Sequence, residues 1–121
     1  MENFAAVFVA GIFAVIGIGL GIPLALQKVP RNYLYGYRIN RYVMEDDDIW
    51  FAVNRVAGFH LVGAGIAFAV IVAISALFIG NPRVQMDILS GITILVMAGL
   101  ALSMIATFRL SYRMAAEKGL R

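Results

Sequence analysis

Residues 30–60 read P-R-N-Y-L-Y-G-Y-R-I-N-R-Y-V-M-E-D-D-D-I-W-F-A-V-N-R-V-A-G-F-H, a polar, aromatic and charged island in an otherwise apolar chain. Between Gln27 and Val56 stand Lys28, Arg31, Arg38, Arg41, Glu45, Asp46, Asp47, Asp48 and Arg55, nine of the seventeen charged residues of the sequence. What flanks the island decides the fold. On one side, Phe4 to Leu26 carries no charge. On the other, Val56 to Ile79 is interrupted only by His60, and Ile88 to Phe108 holds Ser90, Thr93, Ser103 and Thr107 but no charge. A helix needs about 20 apolar residues to cross the hydrocarbon core. Each segment is long enough, the first with some tilt.

Composition agrees. The 121 residues are 62% hydrophobic and 14% charged, whereas a soluble domain carries roughly 25% charged residues and 45–50% apolar ones. The mean hydropathy is +0.87. The length allows one compact unit and no separate soluble domain. With no cysteine, disulfides, thiol catalysis and cysteine-ligated metals are excluded. The net charge of +3 comes from basic residues beside spans, where membrane topology explains them better than nucleic acid does.

The expected architecture is an all-α membrane protein, a single membrane domain over residues 1–121. Three transmembrane helices (about 4–26, 56–79 and 88–108) are expected, with a structured loop and interfacial helix at about 27–55 and a basic tail at 109–121. Asn81-Pro82-Arg83 forms the turn between the second and third spans. The first span lacks a basic n-region and a small-x-small cleavage site, so it is expected to stay in the mature protein.

Lys28, Arg31, Arg38, Arg41, Arg55, Arg109, Arg113, Lys118 and Arg121 share one side of such a bundle, and Arg83 stands on the other. The positive-inside rule makes the crowded side cytoplasmic and the N-terminus external. Tyr33, Tyr35, Tyr37, Tyr42, Trp50 and Tyr112 fall on the same side and are expected to form an interfacial aromatic belt.

Within the spans, Gly17 and Gly21 have the small-xxx-small spacing that lets another helix approach closely. The second span, with Gly58, Gly63 and Gly65, is the expected neighbour. Pro23 removes the helix hydrogen bond to the Gly19 carbonyl and should bend the last turn. No strand precedes these glycines, so they are not a dinucleotide fingerprint. His60 is the one ionisable group inside a span, and it is read either as a pH-sensitive group or as a hydrogen-bonded interfacial histidine. A lone histidine without nearby carboxylates is a poor metal site.

In the island, Asn32 can bond nearby backbone and Gly36 permits positive φ, which predicts a defined turn. An extended chain would put Tyr33, Tyr35 and Tyr37 on one side. Glu45 to Asp48 suit a helix start near Asp46 or Asp47, through capping and the macrodipole, better than a divalent-cation site. That helix either lies at the interface or runs straight into the second span. Arg31 and Arg41 read as topogenic charges; Arg38 and Arg55 are candidates for binding an anion bidentately. No catalytic triad and no phosphate-cradling loop can be assembled, and no enzyme activity, cofactor or metal is expected.

Pro30, Asn32, Tyr35-Gly36-Tyr37-Arg38, Trp50, Asn54-Arg55 and Gly58 together resemble the signature of the SdpI family of bacterial membrane proteins. That pattern is roughly P-N-x-x-x-G-x-R-T, then W-x-x-x-N/H-R-x-x-G. Here Arg31 is inserted after Pro30, and Ile39 stands where threonine is usual. The resemblance implies a plasma-membrane protein giving immunity to a membrane-active peptide toxin, or signalling by capturing a cytoplasmic regulator. It marks Pro30, Asn32, Gly36, Arg38, Trp50, Asn54, Arg55 and Gly58 as the functional motif. The expected partners are the bilayer and its anionic headgroups, a peptide toxin or a cytoplasmic regulator, and a second copy or a larger membrane complex. Nucleic acid is not among them. The alternatives are an accessory subunit of a larger complex and, less favoured, a small oligomeric transporter.

Overall fold

The computed structural model describes residues 3–32 and 34–120. Four helices make up the fold: α1 (Phe4–Ala25), α2 (Arg41–Glu45), α3 (Asp47–Ala76) and α4 (Pro82–Glu117). α1, α3 and α4 are each long and apolar enough to cross a membrane, so the chain is a multi-pass membrane protein. α3 is the central element, packed along α1 on one side and α4 on the other; α1 and α4 scarcely touch.

Local chemistry sets the boundaries. Pro23 sits inside α1, yet the helix continues to Ala25 and closes with Gln27 at φ 59°. Lys28 N–H bonds the Pro23 carbonyl at 3.0 Å and Gln27 N–H the Leu24 carbonyl at 3.1 Å, the paired bonds of a Schellman cap. α4 ends the same way, with Gly119 at φ 72° and Leu120 N–H on the Ala115 carbonyl at 2.8 Å. Asn40, Asp46 and Asn81 cap α2, α3 and α4 by accepting from the N–H groups of Val43, Ile49 and Val84. Thus α3 begins at Asp47 and runs straight into the second span. Only the five-residue α2 precedes it in the island, and the segment expected as a basic tail is the last part of α4.

The α1–α3 seam is built on glycine. A Cβ on Gly17 would lie 2.9 Å from the Leu61 carbonyl oxygen, one on Gly21 2.7 Å from that of Gly58, and one on Gly65 2.8 Å from that of Ala14. Gly58 meets the backbone of Gly21 and Ala25. Such backbone contact supplies the dispersion attraction that holds helices together in lipid, where no hydrophobic drive exists. Gly63, expected as a further partner, has open space above it instead.

Two clusters close the bundle ends. At the turn end Ala10, Ala14, Phe68, Ile71 and Leu89 pack together. There Asn3 Nδ2 donates to the Pro82 carbonyl at 2.7 Å and to Gln85 Oε1 at 3.0 Å. Gln85 Nε2 in turn donates to the Ser75 carbonyl at 2.9 Å. At the loop end Val43, Ile49, Trp50, Val53 and Ala115 form a second core, which holds the island in place.

Candidate functional site

The island folds back over the start of α3, and α3 presents two side chains to hold it. Asn54 and Trp50, one turn apart, are 2% and 0% exposed. Asn54 Oδ1 accepts the Tyr37 N–H at 2.5 Å. Its Nδ2 donates to the Trp50 carbonyl at 3.0 Å and to the Tyr37 carbonyl at 3.4 Å. One amide therefore pairs the main chain of Tyr37 as a neighbouring strand would. Trp50 Nε1 donates to the Val29 carbonyl at 2.8 Å, fixing the other limb of the loop.

Between the limbs, Asn32 and Gly36 make the turn. Asn32 Oδ1 accepts from Leu34 N–H at 2.9 Å and Tyr35 N–H at 2.6 Å, and its Nδ2 donates to the Pro30 carbonyl at 2.8 Å. Gly36 has φ 112°, and a Cβ there would lie 2.8 Å from Asn54 Oδ1 and 3.0 Å from the Trp50 ring. Glycine is required twice over, by conformation and by space.

The turn sends its tyrosines apart. The Tyr35 hydroxyl reaches the Leu20 carbonyl of α1, and burial pushes its phenol pKa up. The Tyr37 hydroxyl lies 3.4 Å from Ser103 Oγ of α4. The expected one-sided tyrosine array is thus corrected by the positive φ at Gly36; Tyr33 lies outside the described residues. Trp50 is corrected as well: it is a core residue, not part of an interfacial belt. Tyr42 and Tyr112 do meet, edge to face at 5.5 Å.

Charge locks the assembly. Arg31 donates through Nη1 to the Met44 carbonyl at 2.7 Å, and its Nε lies 2.5 Å from Asp47 Oδ1, so it ties the loop to α2 and to the start of α3. Lys118 Nζ bridges Asp46 at 2.9 Å and Asp48 at 2.7 Å, clasping the end of α4 to the start of α3. The Lys118 ammonium, with the Ile49 N–H, holds the Asp46 carboxyl below the usual carboxylate range. Asp48 and Asp46 raise the Lys118 ammonium in return. The acids are thereby a helix cap and a clasp.

Of the sequence-predicted residues, Pro30, Asn32, Gly36, Trp50 and Asn54 form one framework. Gly58 belongs to the α1–α3 seam. Arg38 is exposed and engaged. Arg55 is exposed, its guanidinium 5.7 Å from the centre of the Phe59 ring. His60 Nδ1 lies 2.5 Å from Ser103 Oγ, hydrogen-bonded between helices. Sequence reasoning did not find the stripe on α4 that receives all this: Ser103, Thr107, Ser111 and Ala115, each one turn from the next and each buried. Asn40 Nδ2 donates to Ser111 Oγ at 2.7 Å. The i, i+4 spacing of small and hydroxylated residues was the available signal.

The loop, α3 and α4 as far as Ser111 form one continuous piece of sequence, and a family model matches that piece. The SdpI/YfhL protein family matches residues 28–111. The chain belongs to this family. The SdpI match begins where the island begins and ends at Ser111, so it takes in the loop framework and leaves α1 outside. No curated protein and no solved structure gives a match.

Proposed function

We propose that this SdpI-family member is a non-enzymatic protein of the bacterial plasma membrane that protects against a membrane-active peptide toxin, with signalling through its loop. In this reading the N-terminus is external, and the loop and the end of α4 are cytoplasmic, in keeping with the nine-to-one distribution of Lys and Arg. The observation that carries it is the division of labour in the loop. The amides of Asn32 and Asn54 and the indole of Trp50 are taken up in pairing with backbone, while Leu34, 93% exposed, and Arg55 are held outward on that frame. A loop ordered at this cost in chain entropy, yet presenting an apolar side chain, together with a cation presented by α3, suits recognition of an amphipathic peptide or a regulatory protein. The test is survival of a toxin-sensitive bacterial host expressing the chain. Protection is expected, reduced at least tenfold by Leu34→Ala with Arg55→Ala and unchanged by Gly80→Ala. No protection at matched membrane expression overturns the immunity reading. Retained protection in the double variant overturns the role of the loop.

A second reading, an accessory subunit, is favoured by one feature. Phe59, His60, Gly63, Ala64, Val96, Gly99 and Leu100 line an open groove of about 300 Å³ between α3 and α4, and Gly63 and Gly99 have nothing above them. Sizing after gentle extraction decides: a larger hetero-complex supports this reading, and a monomer ends it.

A further inference from the structure

A second cleft lies between α3 and α4, nearer the loop end. Val56, Leu102, Ile105, Ala106, Arg109, Leu110 and Arg113 line its roughly 580 Å³. Its composition is graded. Leu102, Ile105 and Ala106 lie in the apolar run of α4 and are exposed, while Arg109 is the first charge after that run. Arg113 follows one turn later on the same face. The lined stretch from Leu102 to Arg113 extends about 16 Å along the helix, from hydrocarbon depth to headgroup depth.

Among the described residues no ion pair joins Arg109 or Arg113 to a carboxylate, whereas Arg31 and Lys118 nearby are both paired. Glu117, a turn beyond Arg113, is not part of the lining. Two other grooves contrast with this one, since the groove at His60 has no Lys or Arg and the groove lined by α1, Phe68 and α4 has no charged residue, only Ser90 and Thr93 among apolar side chains.

We propose that this cleft binds an anionic glycerophospholipid of the surrounding leaflet. The phosphate sits between the guanidiniums of Arg109 and Arg113, and an acyl chain lies along Leu102, Ile105 and Ala106 against Val56. Charge complementarity selects the occupant. Two unpaired guanidiniums offer bidentate donors to a phosphate, and the apolar floor excludes a purely polar anion from the rest of the cleft. The proposal depends on the spans crossing a bilayer and not on the toxin reading, so either can fail alone.

The experiment uses the full chain in mild detergent, titrated with phosphatidylglycerol or with phosphatidylcholine of the same acyl chains, bound lipid being counted by native mass spectrometry. Each surface cation contributes roughly fivefold in affinity for anionic lipid. Arg109→Gln with Arg113→Gln is therefore expected to cut phosphatidylglycerol retention about 25-fold, while Arg83→Gln leaves it unchanged. Both arginines are exposed, so the double variant should keep its helical circular dichroism. Ala106→Phe fills the floor and should lower retention with the arginines intact. Equal retention of the two lipids, an equal loss on Arg83→Gln, or displacement of the lipid by millimolar inorganic phosphate alone each overturns the proposal.

Discussion

Asn54 shows how one side chain can organise a loop without touching a ligand. Its amide satisfies both the N–H and the C=O of Tyr37 from a wholly buried position. Asn54→Leu keeps the branching at Cγ but leaves the Tyr37 N–H without its acceptor, an unsatisfied donor costing about 1–3 kcal/mol. Gly36→Ala attacks the same point from the other side. It forces φ 112° on a residue with a Cβ aimed at Asn54 Oδ1, which should cost about 1–3 kcal/mol. Unfolding titrations in mixed micelles are expected to show both losses. Gln27→Gly, relieving the φ of 59° that ends α1, should raise stability by about 0.5–1 kcal/mol. At this scale the sequence was half legible. Asn32 and Gly36 announce a turn by residue type, because their backbone preferences are intrinsic. The burial of Trp50 and the reach of Asn54 to Tyr37 are not announced, because both depend on residues 17 to 21 positions away.

Helices meet here in two ways, and the two respond to different perturbations. The α1–α3 seam is steric: Gly58→Val puts side-chain atoms where the Ala25 and Gly21 backbones lie. It should part the helices and destabilise the fold by more than about 3 kcal/mol, within the range for severe overpacking. Gly63→Ala, into open space, should be neutral in the same assay. Both Gly58 and Gly63 stand in the second span as small residues, and spacing alone did not say which one faces α1. The α3–α4 clasp at the loop end is electrostatic. Asp46 has a lowered pKa, so its contribution is present above the ordinary carboxylate value and is lost as pH falls through the lowered one. Lys118 has a raised pKa, so its contribution is present below the ordinary ammonium value and is lost as pH rises through the raised one. The clasp therefore holds across neutral pH and opens at both extremes. A spin label on Ala116→Cys should become more mobile at strongly acidic and strongly alkaline pH and at high salt. Lys118→Gln should give the mobile spectrum at every pH. A label indifferent to pH, salt and Lys118 would show that apolar contacts alone hold the end of α4.

The whole molecule is asymmetric along its long axis, and that asymmetry governs how it would insert. α4, at 36 residues, is about 54 Å long, against a hydrocarbon core of about 30 Å. The larger part of the excess lies at the loop end, where α2, the loop and the flanking turns of α3 and α4 build their own core around Trp50. The three spans were legible because hydropathy over about 20 residues needs no tertiary information. The second core was not, since its residues come from three separate stretches that only packing unites. At the opposite end stand a short connection and the first turn of α4, where Arg83 is the sole Lys or Arg. A compact, cation-rich headpiece is costly to translocate and a near-neutral turn is not, so the headpiece should remain cytoplasmic. The chain has no cysteine, which makes the prediction direct to test. Leu34→Cys, at the exposed tip of the loop, and Gly80→Cys, in open space on the turn, are each treated with a membrane-impermeant maleimide in intact cells and after lysis. Gly80→Cys is expected to label in intact cells and Leu34→Cys only after lysis. The reverse pattern would mean that the paired charges of Arg31 and Lys118 no longer act as topogenic cations once the headpiece folds.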